Sequence, residues 1–139
     1  MSIDIERVRL IKEWEVHKPK ISPIIFTSID GNVVVVKDES VHPTGTYKAL
    51  HGWMLGMHYL QNNFPNPFNY YLTSTGNAVM ADFYYTKLLN RLINQRVNSS
   101  FDPLRTFSFF PAEYKDKLFG PDSNGKFLHG KDLIKFLEC

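Results

Sequence analysis

Cysteine is nearly absent: the 139-residue chain has one, Cys139, at its last position. A single thiol forms neither an intrachain disulfide nor a two-cysteine zinc knuckle, and its scarcity fits a reducing, cytoplasmic compartment. Long apolar runs are missing as well. No stretch approaches the roughly 18 apolar residues of a membrane helix, and the start, Met1-Ser2-Ile3-Asp4-Ile5-Glu6-Arg7, lacks the apolar core of a secretory signal. Neither sign of charge is in excess. Sixteen Lys+Arg against fourteen Asp+Glu leave +2, so charge gives no ground for a nucleic-acid or membrane surface. What remains, 43% hydrophobic and 22% charged residues, is the composition of a globular protein, and the length suits a single domain over residues 1–139.

Charge is also scarce locally. Residues 51–100 carry only Asp82, Lys87, Arg91 and Arg96, whereas the flanking segments are richly charged with both signs. A segment this poor in charge is expected to be covered, by its own fold or by something docked on it.

Val33-Val34-Val35-Val36 is an unbroken β-branched run after a turn at Asp30-Gly31-Asn32, and it predicts a strand buried on both faces of a parallel sheet. A Pro- and Gly-containing loop follows, then a helix from Thr46, its cap, to about Gln61, with Leu50, Trp53, Met54, Met57 and Leu60 at helical spacing. Gly52 and Gly56 weaken that helix. Asn69–Thr73 predicts a second strand, Ser74–Asn77 a loop and cap, and about Ala78–Gln95 a long helix with Val79, Phe83, Leu88, Leu89 and Leu92 on its apolar stripe. Arg105–Phe110 predicts a third strand, stopped by Pro111. Towards the end, Lys126–His129 reads as a short strand and Lys131–Glu138 as a short helix. Alternating strands and helices predict an α/β fold, a small parallel sheet with flanking helices in three α/β/α layers.

In such a sheet, ligands bind in the loops at the carboxyl ends of strands. One loop delivers Lys48 within the opening turn of a helix. An amine there feels the positive end of the helix dipole and, if desolvated, sheds its proton more readily, which makes it a candidate imine-forming nucleophile. The other, Ser74-Thr75-Gly76-Asn77, puts hydroxyls and unpaired backbone N–H groups at a helix start, a site suited to a carboxylate or phosphate. Read more plainly, Lys48 is an exposed helix lysine and the second loop an ordinary cap. His51 and His58, seven apart on one helical face, are a conceivable metal pair, but without a nearby carboxylate or cysteine packing histidines fit better. Trp53, Met54 and Met57 read as core, and Tyr70, Tyr71, Phe107, Phe109 and Phe110 as residues of a buried sheet. No metal site is expected.

These loops carry a family resemblance. Lys37-Asp38-Glu39-Ser40-Val41-His42-Pro43-Thr44-Gly45-Thr46-Tyr47-Lys48 resembles the K-x-E-x-x-x-P-T-G-S-F-K stretch of the fold type II pyridoxal-phosphate enzymes, the group of threonine synthase, cysteine synthase and the tryptophan synthase β-subunit. Ile21-Ser22-Pro23-Ile24 resembles the early T-P-L element of that family, and Ser74–Ala78 its S-S-G-N-x-A/G loop. The three occur in family order over about residues 21–110.

The resemblance implies that Lys48 binds pyridoxal phosphate covalently and moves a substrate proton, that Asn77 hydrogen-bonds the cofactor, and that Ser74, Thr75 and Gly76 grip the carboxylate of an amino-acid substrate. The implied chemistry is β-elimination or β/γ-replacement by a lyase or synthase of amino-acid metabolism. Ala49 and Leu50 depart from the Asp-Arg that follows the lysine in the family. The family's glycine-rich phosphate loop lies well downstream of its lysine, and no two of the eight glycines here are closer than Gly52 and Gly56. The chain therefore reads as the amino-terminal part of such an enzyme, resembling its small domain and inactive without the missing large domain, which a partner chain could carry. The alternative is a non-catalytic, family-derived module that self-associates or binds a partner chain.

Overall fold

A computed structural model describes residues 2–74, 76–98, 101–111, 113 and 136–138. It contains helix α1 (Ile3–Glu15), strands β1 (Ile24–Ile29) and β2 (Asn32–Lys37), a single 3-10 turn (Glu39–Val41), helix α2 (Ala49–Asn62), β3 (Phe68–Thr73), α3 (Asn77–Val97), β4 (Leu104–Phe110) and β5 (Phe136–Glu138). The result is a small mixed α/β domain with two separate sheets.

The valine run departs most from expectation. It lies in β2, but β2 pairs with β1 in an antiparallel hairpin, Phe26 opposite Val35 and Ile29 opposite Asn32. Asp30 (φ 51°) and Gly31 (φ 78°) make the turn. Two consecutive positive-φ residues close a two-residue hairpin loop, which joins only antiparallel neighbours, so Asp30-Gly31 overrides the parallel reading of the valines. Nor is the strand buried: Val33 is 77% exposed, and on the paired strand Phe26 is 72% exposed.

The second sheet is parallel, in the order β3-β4-β5. Strands β3 and β4 and helices α2 and α3 lie within one or two residues of their expected bounds, except that α2 begins at Ala49 rather than Thr46. Phe136–Glu138 corrects the expected final helix: the open edge of β4 recruits it as a strand, Ser108 opposite Phe136. The strand expected at 126–129 and the rest of that helix lie outside the described residues.

The core forms where α1, α2 and α3 meet. Ser2 caps α1, its Oγ accepting from the Ile5 N–H, with Asp4 and Glu6 in the favourable first turn. Trp14 is fully buried. Its indole N–H donates to the Trp53 carbonyl, and the Trp53 indole donates back to the Trp14 carbonyl, both at 3.0 Å. Glycine allows this approach: a Cβ on Gly56 would sit 2.5 Å from the Trp14 ring, and one on Gly52 would sit 2.5 Å from the Ala81 carbonyl oxygen of α3. The two glycines cost helix propensity and permit the α1–α2–α3 contact. Arg96 of α3 pairs with Glu13 of α1.

Helix α3 is fastened to β4 by Asn90, whose side-chain amide donates to the Leu104 carbonyl (2.7 Å) and accepts from the Leu104 N–H (3.1 Å), and by Thr86 against Thr106 (2.6 Å). The other face of the sheet carries Asn69, Tyr71 and Arg105, all exposed, with Tyr71 stacked on Phe107 at 5.2 Å. Among the described residues no helix covers that face, so Tyr71 is exposed rather than buried and two layers stand where the sequence predicts three.

Candidate functional site

Helix α2 leads into β3 and β3 leads into α3, so both helices run against β3 and parallel to each other. The side chains confirm this order. His51 lies beside Tyr70, His58 beside Phe68 at the start of β3, and Gly52 faces Ala81 and Tyr85. The amino ends of α2 and α3 therefore share the end of the molecule to which the carboxyl end of β3 points, where an α/β sheet binds its ligands.

Lys48 stands at the N-cap of α2, half-buried, its Nζ 4.7 Å from the centroid of the Tyr47 ring. No described side chain caps this helix. Thr46 instead accepts from the Lys48 N–H at 3.3 Å and shapes the turn leading in. Gly76, not Asn77, is the N-cap of α3, and Asn77 is its exposed first residue. The Ser74 Oγ accepts from the Gly76 N–H (3.4 Å), and the Ser74 carbonyl accepts from the buried Ser108 hydroxyl (3.2 Å), which ties the loop to β4. A Cβ on Gly76 would meet nothing among the described residues within 4 Å, so there is open space beside the backbone at that position. Thr75 lies outside the described residues.

The remaining motif residues have a structural role. Glu39 accepts from the Ser22 hydroxyl (2.7 Å), lies 2.7 Å from His42 Nε2 and pairs with Lys37 (2.7 Å). The Lys37 ammonium, then the Ser22 hydroxyl and His42, bring its carboxyl down from 4.5 to about 2, against a smaller opposing effect of desolvation. Ser22 and Glu39 address the same imidazole nitrogen, whereas a nucleophile relay needs the acid on the far nitrogen. This cluster locks the base of the hairpin to the turn before Lys48.

Sequence reasoning missed Asp82, and with it the partner of His51. Asp82 is fully buried in α3, and its Oδ1 lies 2.7 Å from His51 Nδ1. Its other oxygen is buried without a hydrogen-bond partner among the described residues. Burial raises the Asp82 carboxyl above its ordinary 3.8, opposed by His51 and by the Lys48 charge. The same carboxylate, after desolvation, raises the half-buried Tyr70 phenol. The available signal was a lone acid, the only one between 51 and 100, set in the apolar stripe of α3 beside Phe83. Among the described residues no group of three His, Cys, Asp or Glu could hold a metal ion, and no helix is long and apolar enough to cross a membrane.

No family model, curated protein or solved structure matches the chain.

Proposed function

We propose that this chain carries the lysine-bearing part of a fold type II pyridoxal-phosphate lyase or synthase acting on an amino acid, and that alone it is catalytically incomplete. One observation carries the reading: Lys48 and the Ser74–Asn77 loop stand at the amino ends of two parallel helices, at the carboxyl end of β3. When bound, pyridoxal phosphate supplies an electron sink for a substrate carbanion. Lys48 offers the amine for the cofactor aldehyde, and Asn77 an amide at the mouth of the site. The first-turn N–H groups of α3, with Ser74, offer donors to a carboxylate.

The fit is one-sided. The amine and the open space beside Gly76 suit the aldehyde end of the cofactor and a substrate carboxylate. The glycines at 31, 45, 52, 56 and 76 are scattered singly over turns and helix contacts, and form no cradle for the phosphate among the described residues. The phosphate must then be held by a further segment or partner chain, which would also supply the third layer over Tyr71. The experiment is a titration with pyridoxal phosphate followed by absorbance. A weak imine band that disappears in Lys48→Ala is expected, with no turnover of amino acids by the chain alone. A band of equal strength in Lys48→Ala overturns the assignment.

A second reading is favoured by the exposed Ile24, Phe26, Val33 and Val35, which share one hairpin face. In it the chain is a non-catalytic module that self-associates by pairing hairpins. Light scattering on dilution separates the two, since a strict monomer at high concentration rules this one out.

A further inference from the structure

A groove of about 360 Å³ runs between α2 and β3, lined by His51, Met54, Leu55, His58, Phe68 and Tyr70. Its walls are mostly apolar and its two imidazoles stand two helical turns apart, about 10 Å along the α2 axis. Each imidazole has one ring nitrogen held by a neighbour. A carboxylate accepts, so the His51 Nδ1–H donates to buried Asp82, and in the neutral ring Nε2 keeps its lone pair as an acceptor. At the other end, the Asn62 side-chain amide donates to the His58 carbonyl (2.9 Å) and lies 3.2 Å from His58 Nδ1; in the tautomer in which that nitrogen accepts, Nε2–H is a donor. The groove thus presents a proton acceptor, an aromatic and aliphatic midsection and a proton donor, in that order.

We propose that this groove binds a flat aromatic molecule with an acidic hydroxyl at one end and a hydrogen-bond acceptor at the other, and that His51 takes up the hydroxyl proton. The O–H bond breaks, the proton passes to His51 Nε2, and the electron pair stays on oxygen as an aryloxide. Asp82 acts as a positioning residue: it fixes the ring tautomer and faces the imidazolium that forms. Its second oxygen has no hydrogen-bond partner among the described residues, so no other described donor shares that charge. The titratable groups that bear on Asp82 are His51 and Lys48 of α2 and Tyr70 of β3. Tyr70 and Phe68 supply ring faces along the aryl body. This site uses neither the aldehyde chemistry of Lys48 nor the 74–77 loop, so it stands or falls apart from the cofactor reading.

The probe is 4-nitrophenol, which has no aldehyde and turns yellow on ionisation. It is titrated into the full chain at a pH where most of the free probe is un-ionised. Saturable binding is expected, with the bound probe in its yellow form. His51→Gln should weaken binding about tenfold and leave any bound probe colourless, while His58→Gln should weaken it only about threefold without changing the colour. Asp82→Asn should keep binding but reduce the ionised fraction. Because that variant removes a buried group and could fail to fold, nitrogen NMR on the unaltered chain supplies a second reading, with His51 expected as the Nδ1–H tautomer. Absence of saturable binding, an unchanged spectrum and affinity in His51→Gln, or an Nε2–H tautomer would each overturn the proposal.

Discussion

The helical body and the β1–β2 hairpin use similar apolar residues to opposite effect. In the body, Trp14, Trp53, Tyr59 and Leu89 are buried against one another across three helices. In the hairpin, Ile24, Phe26, Val33 and Val35 face outward, and the base is fastened by the Ser22–Glu39–His42–Lys37 cluster. Stability therefore resides in the body, and the hairpin is placed by a polar lock beside Lys48. Apolar content alone does not distinguish the two regions. Connection does: a two-residue turn leaves β1 and β2 only each other, whereas long crossings bring α2 and α3 together.

The sharpest way to break this contrast is Trp14→Ala, which empties the junction of α1, α2 and α3. Urea unfolding should show a loss of about 3–5 kcal/mol. A loss no greater than that of a hairpin substitution would dissolve the distinction. Next come Gly52→Ala and Gly56→Ala, each expected to cost about 1–3 kcal/mol by overpacking although alanine is the better helix former. Stabilisation by either would show that the close approach of the helices is not tight. In the hairpin, Phe26→Ser should move global stability by no more than about 0.5 kcal/mol, and a larger loss would mean that this face is covered.

The smallest effect is a pH dependence confined to the hairpin base. The Glu39 carboxyl is depressed in the folded state, so its contribution is complete above the ordinary 4.5 and is lost as pH falls towards about 2. Amide exchange should show the residues around Ser22 and His42 loosening across that window before the body does. Glu39→Gln should remove this pH dependence. The same dependence in the variant would assign it to another group.

Much of the body was legible in the sequence because its signals are local and periodic. Apolar spacing gave α2 and α3, and Pro and Asn clusters bounded them. The hairpin was misread because a run of four valines does not report whether both faces are buried or both open, although Asp30-Gly31 held the deciding turn signal. Helix α1 went unread because its most visible apolar residues, Ile3, Ile5 and Val8, are exposed and only Leu10 and Trp14 turn fully inward; Ser2 with Asp4 and Glu6 was the usable cue. Of the candidate site, Lys48 and the 74–77 loop could be read as loop-to-helix junctions. The His51–Asp82 pair could not, since it spans 31 residues and exists only once α2 and α3 pack side by side. Met54, whose helical spacing points to the core, is exposed and lines the open groove instead.

The most direct test of the central claim, that Lys48 is placed to bond an aldehyde cofactor, is borohydride reduction of the chain with substoichiometric pyridoxal phosphate, followed by peptide mass analysis. The expected result is a pyridoxyl label concentrated on Lys48. A label spread evenly over the chain's exposed lysines, with no preference for that position, would contradict it.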